Sequence, residues 1–287
     1  MSCVNLTPCF PRCKAGAPPR FSHFACTCRQ TIALWTLVLL PGCARSNFNL
    51  ATQREEYTIT STSREVELGR KIARRVEREL PSGTDDRLQE RIEAIGTRIA
   101  SVCDRKDLVY QFRVIGSEDV NAFSLPGGYV FVYDGLIKKT VSDDELAAVI
   151  AHEVGHVTAR HAVKRYEGAL GLQLAQLASL ATRQGEALRG ISVISQATQL
   201  AYARQEELEA DRLAVKYMKA AGFDPKAAIT FLQTMQAIDR EKTTYLPRGV
   251  VRPQYGYTHP FIPERLRAVK EALFGVADYL DYLNSPE

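Results

Sequence analysis

Hydrophobic positions in the first half of the chain recur mainly at helical spacing. The stretches 62–80 and 85–103 each carry one apolar stripe, with residues near helical spacing. The stripe residues are Val66, Ile72, Val76 and Leu80, then Leu88, Ile92, Ile95 and Ile99. Both stretches are predicted to be scaffold helices, and the first is expected to open with a capping box from Thr62 to Glu65.

The pattern changes between 108 and 137, where β-branched and aromatic residues alternate with polar ones. Gly127 and Gly128 separate two such runs, which predicts a small sheet with at least one hairpin. A second capping box, from Ser142 to Glu145, opens a helix through LAAVIAHEVGHVTARHAV that is apolar on nearly every side and is therefore expected to be buried. Further helices are predicted over 201–222, 226–238 and 264–274. The fold class is α+β and mostly helical.

A short apolar run near the N-terminus is typical of a signal peptide. Residues 31–40 form this run behind Arg20 and Arg29, and ten residues fall short of the roughly 20 that a membrane-spanning helix needs. The sequence that follows, Leu40-Pro41-Gly42-Cys43, resembles a bacterial lipobox. We therefore expect Cys43 to become an acylated N-terminus.

These signals divide the chain into three parts: a signal peptide over 1–42, a lipid-anchored polar tether over 43–61 and a catalytic domain over 62–287. The expected location is the periplasmic side of a bacterial outer membrane. The alternative is a soluble periplasmic protein released by cleavage.

Charge and cysteine distribution exclude some classes of protein. The formal charge of +4 comes from four basic residues among the first 43, because the other 33 basic side chains match the 33 acidic ones. No nucleic-acid partner is expected, since phosphate binding needs a net basic face. Cys103 is the one cysteine after Cys43, so no internal disulfide is expected in the domain.

The pentapeptide HEVGH places two histidines one helical turn apart. At 100° per residue, His152 and His156 are separated by about 40° around the helix, so both imidazoles can reach one metal ion. Glu153 projects from the adjacent flank, where it reaches a water beside the metal without being a ligand. This spacing predicts a zinc site with one Zn²⁺ per chain and Glu153 as the catalytic base.

Catalytic zinc needs a third protein ligand, and the nearest histidine is a poor candidate. His161 lies nine residues after His152, about 180° around a continuous helix. It is expected to face away from the metal unless the helix breaks, and to have a structural role.

An acidic cluster at 206–211 offers a better third ligand. Glu207 lies on the apolar stripe of its helix, which consists of Leu200, Ala203, Ala210, Ala214 and Met218. Glu206 and Glu209 fall on the polar side, where a solvated face explains them. A carboxylate on a buried stripe is costly unless it has a partner, so Glu207 is the predicted ligand. Asp211, one turn further, is suited to orient a ligand histidine.

Four separated signatures together resemble one peptidase family. They are NAFSLPGGYVFV at 121–132, HEVGH at 152–156, ELEAD at 207–211 and THPFIPER at 258–265. In order and spacing they resemble the HtpX and CAAX prenyl protease family of zinc metallopeptidases, which are gluzincins, and in particular its periplasmic lipoprotein members such as LoiP. The resemblance implies a zincin-like domain in which the edge strand of the small sheet borders the active site. It also implies Glu207 as the third zinc ligand.

The resemblance assigns roles that the residue pattern alone does not. Asn121, Ala122 and Phe123 are expected to bind substrate backbone by β-augmentation. His259 is expected near the metal, where it either assists the oxyanion or masks the zinc in a resting state. Arg265 is expected to be a structural partner of the C-terminal segment.

The predicted reaction is hydrolysis of internal peptide bonds in extended or misfolded proteins, as part of envelope protein quality control. Zinc would polarise the scissile carbonyl while Glu153 takes a proton from water and delivers it to the leaving amine. The segment 168–200 is a predicted lid. Expected partners are unfolded polypeptides, a membrane reached through Cys43, and envelope proteins. The alternative is a chaperone-like or adaptor protein that holds unfolded chains with little or regulated proteolysis.

Overall fold

The computed structural model describes residues 45–83, 85–181, 185–245 and 259–284. The predicted signal peptide over 1–42 and the predicted acylation site at Cys43 lie outside these residues. Both therefore stay predictions.

The first described element is an antiparallel hairpin of two strands, β1 and β2, which cover Arg45–Asn49 and Arg54–Thr58. It falls within 43–61, the segment that the sequence predicted to be a polar tether. The segment forms a hairpin instead of a simple tether. Asn49 Nδ2 donates to the carbonyl oxygen of Thr158 at 3.2 Å, and Lys164 forms an ion pair with Glu56 at 2.7 Å. These contacts are polar and join residues distant in sequence, so the apolar pattern did not indicate them.

The two predicted scaffold helices are present as α1 and α2, which cover Thr62–Glu79 and Asp86–Ala100. The N-cap of α1 is Ser61, whose hydroxyl accepts from the Arg64 amide, so the expected capping box is wrong. Glu65 is instead buried, and its carboxylate forms ion pairs with Arg105 at 2.9 Å and with Arg160 at 3.0 Å. Two guanidinium groups hold this carboxylate more strongly than one backbone amide would.

A three-stranded sheet follows, with strand order β3-β5-β4. Its strands are β3, Gln111–Ile115; β4, Ala122–Leu125; and β5, Tyr129–Tyr133. β4 and β5 form the predicted hairpin, and their turn contains Gly127 and Gly128 at φ of 78° and 98°, which favours glycine. β3 pairs in parallel with the other side of β5. The central strand is therefore β5, and β4 is an edge strand of this sheet.

The remaining helices are α3, Asp134–Ile137; α4, Asp143–Thr158; α5, His161–Ala181; α6, Gly185–Ala221; α7, Ala227–Tyr245; and α8, Ile262–Asn284. α4 is the predicted central helix, because every residue from 145 to 158 is buried and α2, α6, α7 and β4 pack around it. The capping box is confirmed: Ser142 Oγ accepts from the Glu145 amide. The helix ends earlier than predicted, because Arg160 adopts φ of 59°.

This arrangement confirms the α+β, mostly helical fold class. Among the described residues, no helix is both long enough and apolar enough to cross a bilayer. The predicted lid, 168–200, covers the end of α5 and the start of α6. Most of its side chains lie outside the described residues, so the lid stays a prediction.

Candidate metal centre

The candidate site lies where α4 packs closely against α6. Gly155 makes this approach possible: a Cβ at this position would lie 2.9 Å from the carbonyl oxygen of Ala210 and 3.2 Å from its Cα. The contact places Glu207 of α6 opposite His152 and His156 of α4. All three side chains are at least nine-tenths buried.

The ligand atoms of these three residues have the spacing of a tetrahedral zinc site. His152 Nε2 and His156 Nε2 lie 3.0 Å apart. Glu207 reaches them with different oxygens, Oε1 at 3.3 Å from His156 and Oε2 at 3.4 Å from His152. Zinc bonds of about 2.0–2.1 Å in tetrahedral geometry separate the donors by about 3.3 Å. The three predicted ligands are therefore brought together in a geometry that fits the ion.

His259 adds a fourth donor to this group. Its Nδ1 lies 3.2 Å from His152 Nε2 and 3.2 Å from Glu207 Oε2. The ligand atoms of the four residues all lie within 4.8 Å of one another. His152, His156, Glu207 and His259 therefore form a group that could hold one metal ion.

Asp211 lies where the sequence predicted an orienting residue. Its Oδ1 is 2.9 Å from His152 Nδ1, the ring nitrogen directed away from the ligand cluster. Arg265 donates two hydrogen bonds of 2.8 Å to the same carboxylate, and its Nη1 lies 3.3 Å from Glu207 Oε2. The expected role of Arg265 as a partner of the C-terminal segment alone is therefore too narrow, because it also connects two acids of the site. Its place at the end of the signature THPFIPER was the available signal.

His161 does not face away as a continuous helix would require. The positive φ of Arg160 turns the chain, and His161 Nδ1 lies 2.8 Å from His156 Nδ1. It stays behind the ligand, outside the donor group. Its Nε2 lies 3.1 Å from Glu209, whose side chain is 25% exposed; Glu206 is 12% exposed. The predicted solvated face for these two acids is thus wrong.

Burial and neighbouring charges shift the pKa of the ligand groups. Burial raises the pKa of Glu207, but His259 and Arg265 outweigh it and hold that pKa well below the usual value. Burial and Arg265 lower the pKa of His152, yet Asp211 and Glu207 prevail and raise it to about 9. Burial dominates at His156 and lowers its pKa to about 3.

Glu153 lies beside the donor group without belonging to it. It is 1% exposed, and its Oε1 has no hydrogen-bond partner among the described residues. The same oxygen lies 3.3 Å from His259 Nε2. Burial raises the pKa of Glu153, but the neighbouring histidines, His259 first, outweigh it and lower the pKa below the usual value. An ionised, buried oxygen that accepts no hydrogen bond from the described residues suits a base that receives a proton from water.

The edge strand β4 borders this site. The carbonyl of Asn121 accepts from the amide of Tyr133 in β5. Because backbone direction alternates along a strand, Phe123 also faces β5, whereas Ala122 directs its backbone groups outward. Side chains satisfy those groups: the Ala122 amide donates to Asn121 Oδ1 at 2.9 Å, and its carbonyl lies 3.3 Å from His259 Nε2.

Comparison with known families agrees with this geometry. The model of peptidase family M48 matches residues 86–273, from the start of α2 into α8. The chain belongs to peptidase family M48. This confirms the resemblance found in the four signatures and, at the level of the family, the prediction of a peptidase. All of the candidate site residues lie within the matched part of this M48 chain.

Curated relatives include proteases of two named kinds. The Beta-barrel assembly-enhancing protease of Escherichia coli (strain K12) is 30% identical over 217 residues, which cover 72% of this chain and 43% of the relative. A Putative beta-barrel assembly-enhancing protease of Vibrio cholerae is 31% identical over 217 residues, covering 70% and 43%. Mitochondrial metalloendopeptidase OMA1 of Schizosaccharomyces pombe is 31% identical over 176 residues, covering 61% and 50%. The chain therefore spans half or less of the length of these relatives.

Proposed function

We propose that this M48 chain is a zinc-dependent endopeptidase that cleaves extended or misfolded polypeptides in the bacterial cell envelope. The observation that carries the proposal is the spacing of the donor atoms. His152, His156 and Glu207 lie at tetrahedral separations. Beside them is the buried Oε1 of Glu153, which accepts no hydrogen bond from the described residues.

The charge of the buried group supports a divalent cation. Glu153, Glu207 and Asp211 contribute three carboxylates, and Arg265 contributes one positive charge. Two negative charges remain, and burying them without compensation is costly. The raised pKa of His152 has the same origin, because the carboxylates of Asp211 and Glu207 favour the charged form of its imidazole. Histidine and carboxylate ligands at this spacing favour zinc.

Zinc in this position supplies a Lewis acid that polarises the scissile carbonyl and acidifies water. The protein's own contribution begins with Glu153, which takes a proton from the attacking water and passes it to the leaving amine. Asp211 keeps the His152 ring in the orientation that directs Nε2 to the cluster. Arg265 keeps Asp211 and Glu207 in place.

Substrate is proposed to bind as an added strand along β4. Ala122 directs its amide and carbonyl away from β5, where they contact the side chains of Asn121 and His259. An extended peptide can replace these side chains with main-chain hydrogen bonds, which places its backbone beside the metal. Recognition through the main chain reads little sequence, as cleavage of misfolded proteins requires.

The position of His259 favours masking over assistance to the oxyanion. Its Nδ1 takes the fourth vertex and its Nε2 meets the substrate edge, so one side chain covers both the water site and Ala122. This resting arrangement is the observation that supports the alternative function, a protein that holds unfolded chains under regulated proteolysis. Release of His259 would convert holding into cleavage.

Location in the periplasm, with a lipid anchor at Cys43, completes the proposal and rests on the sequence alone. It agrees with relatives named for β-barrel assembly. The mass of the N-terminal peptide, isolated after expression in a bacterium, tests it. A diacylated or triacylated Cys43 is expected, and an unmodified N-terminus further along the chain would favour the soluble alternative.

The central test compares wild type with Glu153→Gln on reduced, unfolded casein, with zinc content measured on the same samples. We expect Glu153→Gln to hold one zinc and bind casein but to cut it at least about 100-fold more slowly, since general-base catalysis contributes 10²–10⁴-fold. Glu206→Gln is the control, because it removes a nearby carboxylate outside the donor group. Equal cleavage by zinc-loaded Glu153→Gln would refute the proposed base.

Replacing His259 separates its two proposed roles. His259→Ala vacates the fourth vertex and the Ala122 carbonyl, so masking predicts faster casein cleavage at equal zinc occupancy. A loss of kcat with unchanged substrate binding would instead assign His259 to the oxyanion.

A further inference from the structure

The feature that the proposed reaction leaves unused is the buried histidine behind His156. His161 is 1% exposed, and its two ring nitrogens have different neighbours. Nδ1 lies 2.8 Å from His156 Nδ1, and Nε2 lies 3.1 Å from Glu209 Oε2. A relay therefore runs from a partly exposed carboxylate, through a buried imidazole, to a ligand of the candidate metal centre.

The chain is held in the conformation that creates this relay. Arg160 has a positive φ, which is uncommon for a residue other than glycine and requires support from its surroundings. Its guanidinium supplies that support, donating to Glu65 at 3.0 Å and to the carbonyl of Thr60 at 2.7 Å. The turn after α4 is thus fixed from outside the helix, and His161 is placed against His156 as a result.

The short distance between the two Nδ1 atoms restricts where protons reside. At 2.8 Å, one nitrogen must donate and the other must accept. His156 Nε2 faces Glu207 and His152 in the donor group, so a ligand at this position needs its lone pair on Nε2 and its proton on Nδ1. His161 Nδ1 must then accept, which leaves the His161 proton on Nε2.

Glu209 selects this arrangement over its opposite. A carboxylate accepts hydrogen bonds and does not donate them, so it favours the tautomer of His161 with a proton on Nε2. The opposite arrangement would put a proton on His156 Nε2, directed at the metal. At His152 the proton is likewise held on Nδ1, here by direct contact with Asp211 at 2.9 Å and without an intervening histidine.

We propose that Glu209, acting through His161, holds His156 in the tautomer and ring orientation that bind the metal ion. Both are positioning residues, since neither reaches the reacting atoms. The inference rests on the proposed metal centre and adds to it a second, indirect support for a ligand. Support of this kind typically changes metal affinity by about 10- to 100-fold.

The test measures zinc affinity of the full chain by competition with a chromogenic chelator. Glu209→Ala is expected to raise the zinc Kd by about 10-fold or more. Glu206→Ala is the matched control, because Glu206 is a neighbouring, partly buried acid that pairs with Arg165, and this variant should stay within about threefold of wild type. His161→Leu should raise the Kd as Glu209→Ala does. His161→Asn should bring the zinc Kd most of the way back to the wild-type value, because the asparagine amide oxygen takes the place of Nδ1 as acceptor.

A spectroscopic measurement distinguishes positioning from general destabilisation. In ¹⁵N-histidine NMR spectra of the zinc-loaded protein, His156 should carry its proton on Nδ1 and His161 on Nε2, and Glu209→Ala should disturb the His161 signal. Unchanged Kd and unchanged histidine signals in Glu209→Ala would overturn the relay while leaving the metal centre intact. If wild type itself binds no zinc, the proposed centre fails, and the relay fails with it.

Discussion

Replacing Gly155 with alanine tests whether close approach of two helices builds the metal centre. The added Cβ would lie 2.9 Å from the carbonyl oxygen of Ala210, 3.2 Å from its Cα and 3.4 Å from Leu213 Cβ. Two of these atoms are backbone, so no side-chain rotation relieves the contact. α6 must shift away from α4, and Glu207 moves with it.

Two opposing effects set the change in unfolding free energy that Gly155→Ala causes. Alanine favours a helix over glycine by about 0.8–1.0 kcal/mol. Overpacking a close contact costs about 1–3 kcal/mol. The net change in unfolding free energy is therefore a loss of up to about 2 kcal/mol. Gly168 in α5 provides the matched control, because nothing lies within 4 Å of a Cβ there. Gly168→Ala should show only the helix preference, a gain of about 1 kcal/mol.

Urea unfolding of the metal-free proteins measures the first effect, and chelator competition measures zinc affinity. Gly155→Ala should be less stable than Gly168→Ala by about 1–3 kcal/mol. It should bind zinc about tenfold more weakly than wild type, because the separation of Glu207 from the histidines increases. If Gly155→Ala gains as much stability as Gly168→Ala and keeps wild-type zinc affinity, the argument from close approach is refuted.

Three further outcomes test other parts of the structure. Glu65→Gln removes the buried charge between two guanidinium groups and should lower the unfolding free energy by about 3 kcal/mol. Glu67→Gln, at an exposed position of the same helix, should leave the urea midpoint unchanged, and equal midpoints for the two variants would contradict this. Metal-free His152 has its pKa raised to about 9, so zinc displaces a proton below that pH, and zinc affinity should rise about tenfold per pH unit from roughly pH 6 to 8. A zinc affinity that does not change with pH would argue against displacement of a proton from His152. Arg265→Lys loses the planar fork on Asp211 and should weaken zinc binding about tenfold in the chelator assay.

The helical spacing of apolar residues predicted those parts of the structure that depend on residues close together in the sequence. Ile92, Ile95 and Ile99 are all buried, as their common stripe on α2 indicated. The same reasoning placed Glu207 on the buried side of α6, where it faces the two histidines. A helix converts sequence spacing into direction, so a polar residue that falls in an apolar stripe is already a candidate for a specific role.

Contacts between distant residues explain what the pattern did not indicate. His161 lies behind His156 because Arg160 turns the chain, and Arg160 is held by Glu65, 95 positions away. Arg265 reaches Asp211 across 54 positions. In each case a charged side chain is buried by a partner that the neighbouring sequence does not specify. Such pairs leave no period in the chain, so only the folded structure joins them.

The elements that carry the four donors suggest how the site combines stability with access. His152, His156 and Glu207 project from two helices that are packed closely at Gly155, so the packing of α4 against α6 fixes the backbone positions of all three. His259 instead precedes α8 and lies outside any helix, with its carbonyl oxygen 3.3 Å from Arg265 Nη1. Moving its side chain needs no change in the helix packing. Three donors can therefore hold the ion while the fourth withdraws, and an incoming peptide that bonds to the Ala122 carbonyl competes directly with His259 Nε2 for that position. Substrate binding at β4 would then itself favour release of the mask.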